Sequence, residues 1–144
     1  AEGRRLAGDL VNRAAALDRM TDAIGHRSRD VVRAYGERLR ARLAELLAET
    51  PIDEARIATE LALFAERSDI TEELTRLGSH LTQFRETMAA AEGAVGRKLE
   101  FLLQEMGRET NTIGAKANDL EIARAVIAIK GELESLREQI QNVE

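Results

Sequence analysis

Chemistry in this chain must come from carboxylates, arginines, three lysines and two histidines, because cysteine and tryptophan are absent. Without cysteine there is no disulfide scaffold, no thiolate metal site and no cysteine nucleophile. His26 follows Gly25 in an arginine-rich stretch, with Asp22 the one acid at a useful chelating spacing, and reads as a surface residue. His80 stands in richer company. At about 100° per residue, Asp69, Glu73, Arg76, His80 and Thr87 fall on one polar stripe of a helix. Glu73 and His80 lie about 10 Å apart along the axis, too far to chelate one ion unaided, with Arg76 between them. By spacing alone the row is a set of helical ion-pair contacts at a bundle seam.

A second polar face is denser. Lys98, Phe101, Glu105, Arg108 and Thr112 occupy the side opposite Leu99, Leu103 and Met106. Glu109 lies one turn beyond Glu105, a spacing that can present two carboxylates to one hard cation. Phe101 breaks the pattern of this polar side. Beside Lys98 and Arg108 it can stack on a base, or it can fill a contact with another helix. Several enzyme templates fail. The chain has no Glu-x-x-His pair, no His-Glu-x-x-His and no Gly-x-Ser-x-Gly. It also lacks a glycine-rich phosphate loop following a strand.

These residues must be positioned by helices. With one proline and five stretches of helix-period patterning, the expected class is all-α, a long helical hairpin or bundle with a heptad-patterned C-terminal helix. Leu10, Leu17, Ile24 and Val31 repeat every seven residues, and Val32, Tyr35, Leu39, Leu43 and Leu46 continue in steps of three and four. Residues 1–50 therefore form a long arginine-rich helix, a coiled-coil-like arm, and residues 51–144 a helical C-terminal domain. Such a helix reaches about 70 Å and requires a partner helix or subunit. Thr50-Pro51 ends it, and Thr50 can cap a second helix carrying Ile57, Leu61 and Phe64.

Asp69 with Glu72 forms a capping-box pattern before the ladder Ile70, Leu74, Leu77, Leu81, Phe84 and Met88. Gly93 and Gly96 bracket a turn. Leu99, Leu102, Leu103 and Met106 line the fourth helix, whose end Gly107 and Gly114 make irregular. Asn118 and Glu121 form a further capping-box pattern, and Ile122, Val126, Ile129, Leu133, Leu136, Ile140 and Val143 hold a heptad seam to the end.

The formal charge is −5 and the pI is near 5.2, which at first argues against nucleic acid. The charge is uneven, however. Residues 1–49 hold ten arginines against eight acids, a balance of +2, leaving −7 for the rest. Arginine suits forked phosphate contacts, although a solvated helix surface explains the composition as well. No run approaches the roughly 18 to 20 apolar residues of a membrane span, and no secretory segment opens the chain. A membrane-surface role is disfavoured because the apolar seam of the first helix is narrow. The expected location is cytoplasmic. The start on Ala1, already helix-patterned, reads as part of a longer protein.

The run Asp69-Ile-Thr-Glu-Glu-Leu-Thr-Arg-Leu-Gly-Ser-His-Leu-Thr-Gln-Phe84 resembles the YicC/YloC family of bacterial endoribonucleases. The likeness strengthens over Gly96-Arg-Lys-Leu-Glu-Phe-Leu-Leu-Gln-Glu-Met-Gly-Arg-Glu-Thr-Asn-Thr-Ile-Gly-Ala-Lys116, a long and unusual block, and closes with Leu136-Arg-Glu-Gln-Ile-Gln-Asn-Val-Glu144. Gly107, where asparagine is usual, and Ala115, where serine is common, depart from the pattern. The resemblance implies the C-terminal region of a ribonuclease that uses a divalent cation, Mn2+ or Mg2+, assembles as a homo-oligomer (a hexamer for the full-length protein) and acts on RNA. It makes Glu73, Glu105 and Glu109 the carboxylates for the cation, and Glu105 with His80 the catalytic pair, His80 as ligand or proton carrier. Arg76, Arg97, Lys98 and Arg108 are then the phosphate-positioning groups, with Phe101, Asn111 and Lys116 beside them. The competing class is a helical assembly or RNA-binding module without catalysis of its own.

Overall fold

The chain was analysed as a computed structural model that describes residues 2–90 and 95–143, with side chains from 8 to 142. The described residues form five α-helices and no strand: α1 Glu2–Leu47, α2 Glu54–Arg67, α3 Thr71–Ala90, α4 Val95–Lys116 and α5 Leu120–Val143. The all-α expectation holds. α1 packs on α3 and α5, and α4 packs on the same two helices from the other side. The result is a four-helix bundle with α2 laid against the far end of α1.

The seven-residue periods become the core. Leu17, Ile24 and Val31 are buried, and Ala14 and Thr21 fill the intervening positions of the same seam. From α3 come Ile70 (just before its first turn), Leu77, Leu81 and Phe84; from α4 come Leu99, Leu102, Leu103, Met106 and Ile113. α5 adds Ile122, Val126, Ile129, Leu133, Leu136 and Ile140, while the side chain of Val143 lies outside the described residues. Each fully buried aliphatic side chain contributes about 1.5–3 kcal/mol of transfer free energy. Residues 14–31 of α1 thus belong to one core with α3, α4 and α5. Only beyond Tyr35 does α1 stand mostly clear of the bundle, with Leu46 two-thirds exposed.

Helix ends differ in detail from the sequence reading. α1 stops at Leu47, where Ala48 takes a left-handed conformation (φ 51°) and Thr50 N–H donates to the Leu47 carbonyl at 2.9 Å. Asp53, not Thr50, caps α2, its carboxylate accepting from the Ala55 and Arg56 amides at 3.1 and 3.3 Å. Asp69 accepts from the Thr71 amide at 3.0 Å, but Glu72 turns to Arg76 instead of closing a capping box. At α5 the cap is Asp119, which accepts from the Ile122 amide at 3.1 Å. At α2 and α5 a short carboxylate nearer the first helical amides thus takes the place of Thr50 and Asn118, whereas Asp69 caps α3 as its position suggests. Gly96 lies inside the first turn of α4, and Gly93 lies outside the described residues. α4 continues unbroken through Gly107 and Gly114 to Lys116.

Two glycines permit close helix approach. A Cβ on Gly114 would sit 3.2 Å from Val126 Cγ1, and one on Gly36 would sit 3.2 Å from Leu61 Cδ2. The first lets α5 lie tight on α4, and the second lets α2 lie tight on α1. Arginines of α1 then clamp the bundle. Arg27 forks onto Asp119 at 2.7 and 3.0 Å, and Arg13 reaches Glu132 at 3.0 Å. Arg85 of α3 reaches back to Asp18 at 3.2 Å.

Candidate functional site

α3 and α4 run antiparallel, and their shared edge gathers the polar stripe of one helix against the acidic edge of the other. Lys116 Nζ donates to Glu73 Oε1 at 2.7 Å and to the Asp69 carbonyl at 3.2 Å. One turn on, Arg76 Nε donates to Glu109 Oε1 at 2.9 Å, while its Nη atoms approach Glu72 and Glu73 at 3.4 and 3.9 Å. The same register sets His80 of α3 level with Glu105 of α4, whose Oε1 lies 3.5 Å from Arg108 Nη1. The within-helix row expected from spacing is therefore a cross-helix seam, with Arg76 as the bridge.

Burial makes the seam chemically distinct. Glu73 is 4% exposed, the one buried carboxylate of the bundle among the described residues. Burial pushes its carboxyl upward, but the Lys116 hydrogen bond and the charges of Lys116 and Arg76 outweigh that and hold it below the ordinary carboxylate range. The Asp69 carboxyl is also held low, first by its hydrogen bonds from the Thr71 hydroxyl and amide. Three buried atoms along the seam have no hydrogen-bond partner: Glu73 Oε2, Glu109 Oε2 and His80 Nδ1. Buried lone pairs of this kind cost about 1–3 kcal/mol each when left unmatched.

These atoms bear on whether a divalent cation fits. Two carboxylates and an imidazole are ligands of the right kind, and their free lone pairs can accept a cation. Yet Glu73, Glu109 and Glu105 each already face a cationic side chain. Among the described residues no three His, Asp or Glu side chains come close enough to hold an ion by themselves. The donor set fits in kind and is incomplete in number.

The other candidate residues divide between two further surfaces. Arg97, Lys98, Phe101 and Arg108 lie on the outer ridge of α4, all exposed, with Phe101 at 56%. Phe101 is thus outside the core of its own chain among the described residues. Asn111 faces the opposite edge, in a groove of about 320 Å³ between α4 and α5 where Gln104, Gly107, Lys130 and Arg137 join it. Sequence reasoning passed over Gln104, Lys130 and Arg137. The signal for the last two was faint: they sit seven residues apart on the exposed side of α5. His26 is exposed, as its neighbours suggested.

Fold and site together define an all-α bundle domain whose polar chemistry runs along the α3–α4 seam and the ridge beside it. Residues 24–144 match the family described as "Endoribonuclease YicC-like, C-terminal", and the chain belongs to that family. The "Probable endoribonuclease YicC" of Clostridioides difficile (strain 630) is 46% identical over 144 residues, covering 99% of this chain and 49% of that protein. The protein of the same description from Haemophilus influenzae (strain ATCC 51907 / DSM 11121 / KW20 / Rd) is 35% identical over 143 residues, again 99% and 49%. The chain spans about half the length of these relatives. None of its described helices is long and apolar enough to cross a membrane.

Proposed function

We propose that this chain is the helical C-terminal region of a metal-dependent endoribonuclease, acting on single-stranded or structured RNA, and that the α3–α4 seam is its contribution to cleavage. The observation that carries this reading is the placement of Glu109 Oε2 and His80 Nδ1, buried and unpartnered, around the level of Glu105 and next to the exposed ridge. A Mn2+ or Mg2+ ion, when bound, supplies charge at a phosphate oxygen and lowers the pKa of the attacking water or hydroxyl. Glu73, Glu105 and Glu109 are the carboxylates placed to hold it, with remaining ligands from another part of the protein or another subunit. His80 serves either as a ligand to that ion or as the group that takes or gives a proton. Arg97, Lys98 and Arg108 steer the phosphate backbone along the ridge, Phe101 stacks on a base, and Asn111 reaches a strand that crosses α4. Arg76, paired with Glu109, and Lys116, paired with Glu73, are the further groups that contact the RNA backbone on this reading. The full-length protein assembles on this reading as a homo-oligomer, a hexamer. A cytoplasmic location goes with an RNA substrate.

The test is cleavage of labelled RNA with manganese by the full-length protein and by its Glu105→Ala and His80→Ala variants, with assembly checked by size. Both variants should lose cleavage and keep assembly. Unchanged cleavage by both removes the site assignment.

A second reading, a non-catalytic assembly or RNA-binding module, is favoured by the cation that faces every seam carboxylate. It separates from the first when the isolated chain is incubated with RNA and manganese beside the full-length protein. The chain alone should cleave weakly or not at all, and efficient cleavage by it rules out the scaffold-only reading.

A further inference from the structure

Two of the chain's four aromatic residues meet away from the seam, where α2 crosses α1. The rings of Tyr35 and Phe64 stack with centroids 3.9 Å apart and planes within 7°. Gly36 makes this possible, because its missing side chain lets Leu61 and with it α2 approach α1 closely. The Tyr35 hydroxyl donates to Glu60 Oε1 at 3.1 Å, which fixes the ring's rotation. The stack forms one wall of a cavity of about 520 Å³, and the other walls are Arg38, Arg67 and Asn118.

The charges around this cavity are unevenly matched. Arg67 shares Glu60 with Tyr35 at a loose 3.4 Å. Arg38 has no ion-pair partner among the described residues, although its charge is felt by both Tyr35 and Asp119. Asp119 is already taken by the Arg27 fork and by its own helix cap. An unneutralised guanidinium, a second one weakly held, an amide and a rigid aromatic platform thus line one opening. That combination suits a nucleotide. The half-buried Tyr35 ring, backed on one side by the buried Phe64, offers its other side to a base, and the guanidiniums take phosphate in forked geometry. The Asn118 Oδ1, left over when its amide N–H donates to the Lys116 carbonyl, accepts from a base edge.

We infer that the Tyr35–Phe64 cavity is a second RNA contact, an anchoring subsite that holds one nucleotide of a single strand through Arg38, Arg67 and Asn118 while cleavage occurs elsewhere. The inference rests on the reading of the chain as RNA-directed. Asn118 ties the subsite to the seam, because it lies in the α4–α5 corner two residues after Lys116, which holds Glu73. A strand anchored there is led toward the Lys116 end of the seam.

The experiment measures binding of a fluorescein-labelled single-stranded oligoribonucleotide to this chain by anisotropy, as a function of salt and without metal. Arg38→Ala/Arg67→Ala should weaken binding at least about tenfold. It should also lower the slope of log K against log salt by about 1.4, at about 0.7 per phosphate contact on single strands. Tyr35→Phe keeps the platform and should bind within about twofold of the parent, whereas Tyr35→Leu should bind about fivefold or more weakly. RNA carrying 4-thiouridine should photocrosslink to the peptide containing Tyr35. A purely structural role for the arginines changes melting temperature but not the salt slope. An unchanged slope and affinity in the double variant overturns the inference, and so does an absence of RNA binding by the parent chain. Failure of the seam reading shows separately, as undiminished cleavage by the His80 and Glu105 variants while anchoring persists.

Discussion

Replacing Lys116 with methionine keeps the aliphatic stem and removes the cation that satisfies Glu73. In the native seam, Lys116 Nζ lies 2.7 Å from Glu73 Oε1, Glu73 Oε2 has no partner, and the nearest remaining cation is Arg76 at 3.9 Å. Removing one partner of a buried ion pair costs about 3–5 kcal/mol. The Lys116 side chain is itself 38% exposed and Arg76 persists, so solvent screening reduces the expected loss to about 2 kcal/mol. For a chain of this length that is a fall of about 4–8 °C in melting temperature, read by far-UV circular dichroism. The pH dependence identifies the cause. In the native protein the Glu73 carboxyl is held low, so its contribution is present above the unfolded value of about 4.3 and is lost as pH falls through the folded value. Without Lys116, burial prevails and lifts the folded carboxyl above its unfolded value, so the variant recovers stability on acidification. The deficit should be largest near neutral pH and shrink toward about pH 4. Glu73→Gln in the same background should restore most of the loss by removing the stranded charge. Equal melting of Lys116→Met and parent, or a deficit that does not change with pH, refutes the reasoning.

Arg27→Ala should lower the melting temperature at neutral pH, because it releases the fork that ties α1 to the cap of α5. The Asp119 carboxyl is held low chiefly by that Arg27 hydrogen bond, so its contribution exists above about pH 3.9 and is lost below. Acid titrations of parent and variant should therefore converge at low pH. Ala48→Gly should stabilise by about 1 kcal/mol, since Ala48 holds the left-handed conformation that glycine adopts without strain. Gly107→Ala should stabilise α4 by about 0.5–1 kcal/mol, because a Cβ there meets nothing within 4 Å. Thermal or urea unfolding reads both, and a loss of stability in either contradicts the local geometry.

Much of the fold is visible as periodicity. The steps of three and four in Leu77, Leu81 and Phe84, and the heptads from Ile122 to Ile140, reappear as buried faces. Helical spacing is enforced by backbone geometry, so an apolar ladder survives into any packing that covers it. For Phe101 the same geometry fixed only that it broke a polar face; the choice between an exposed ring and a helix contact came from the packing, which leaves it 56% exposed. Helix ends were less legible: Asp69 caps α3 as read, but Asp53 and Asp119 displace Thr50 and Asn118, one to three residues away, and the winner depends on the path of the preceding turn. Of the polar stripe on α3, Arg76 is exposed while Glu73 and Thr87 are buried, a division that spacing along one helix does not set.

The sequence by itself determined the helical class, the apolar seams, the polar stripe through Glu73, Arg76 and His80, and the polar face of α4 that Phe101 interrupts. Each depends only on residues within a few turns of one another. Tertiary structure decided which stripes meet. It joined Arg76 to Glu109 and Lys116 to Glu73 across the α3–α4 register, turned Asn111 toward α5, and engaged Arg13 and Arg27 in bundle clamps. It also brought Tyr35 onto Phe64 between two arginines at a crossing that Gly36 permits. Those pairings link residues tens of positions apart, and their register follows from how side chains of four helices fill one core.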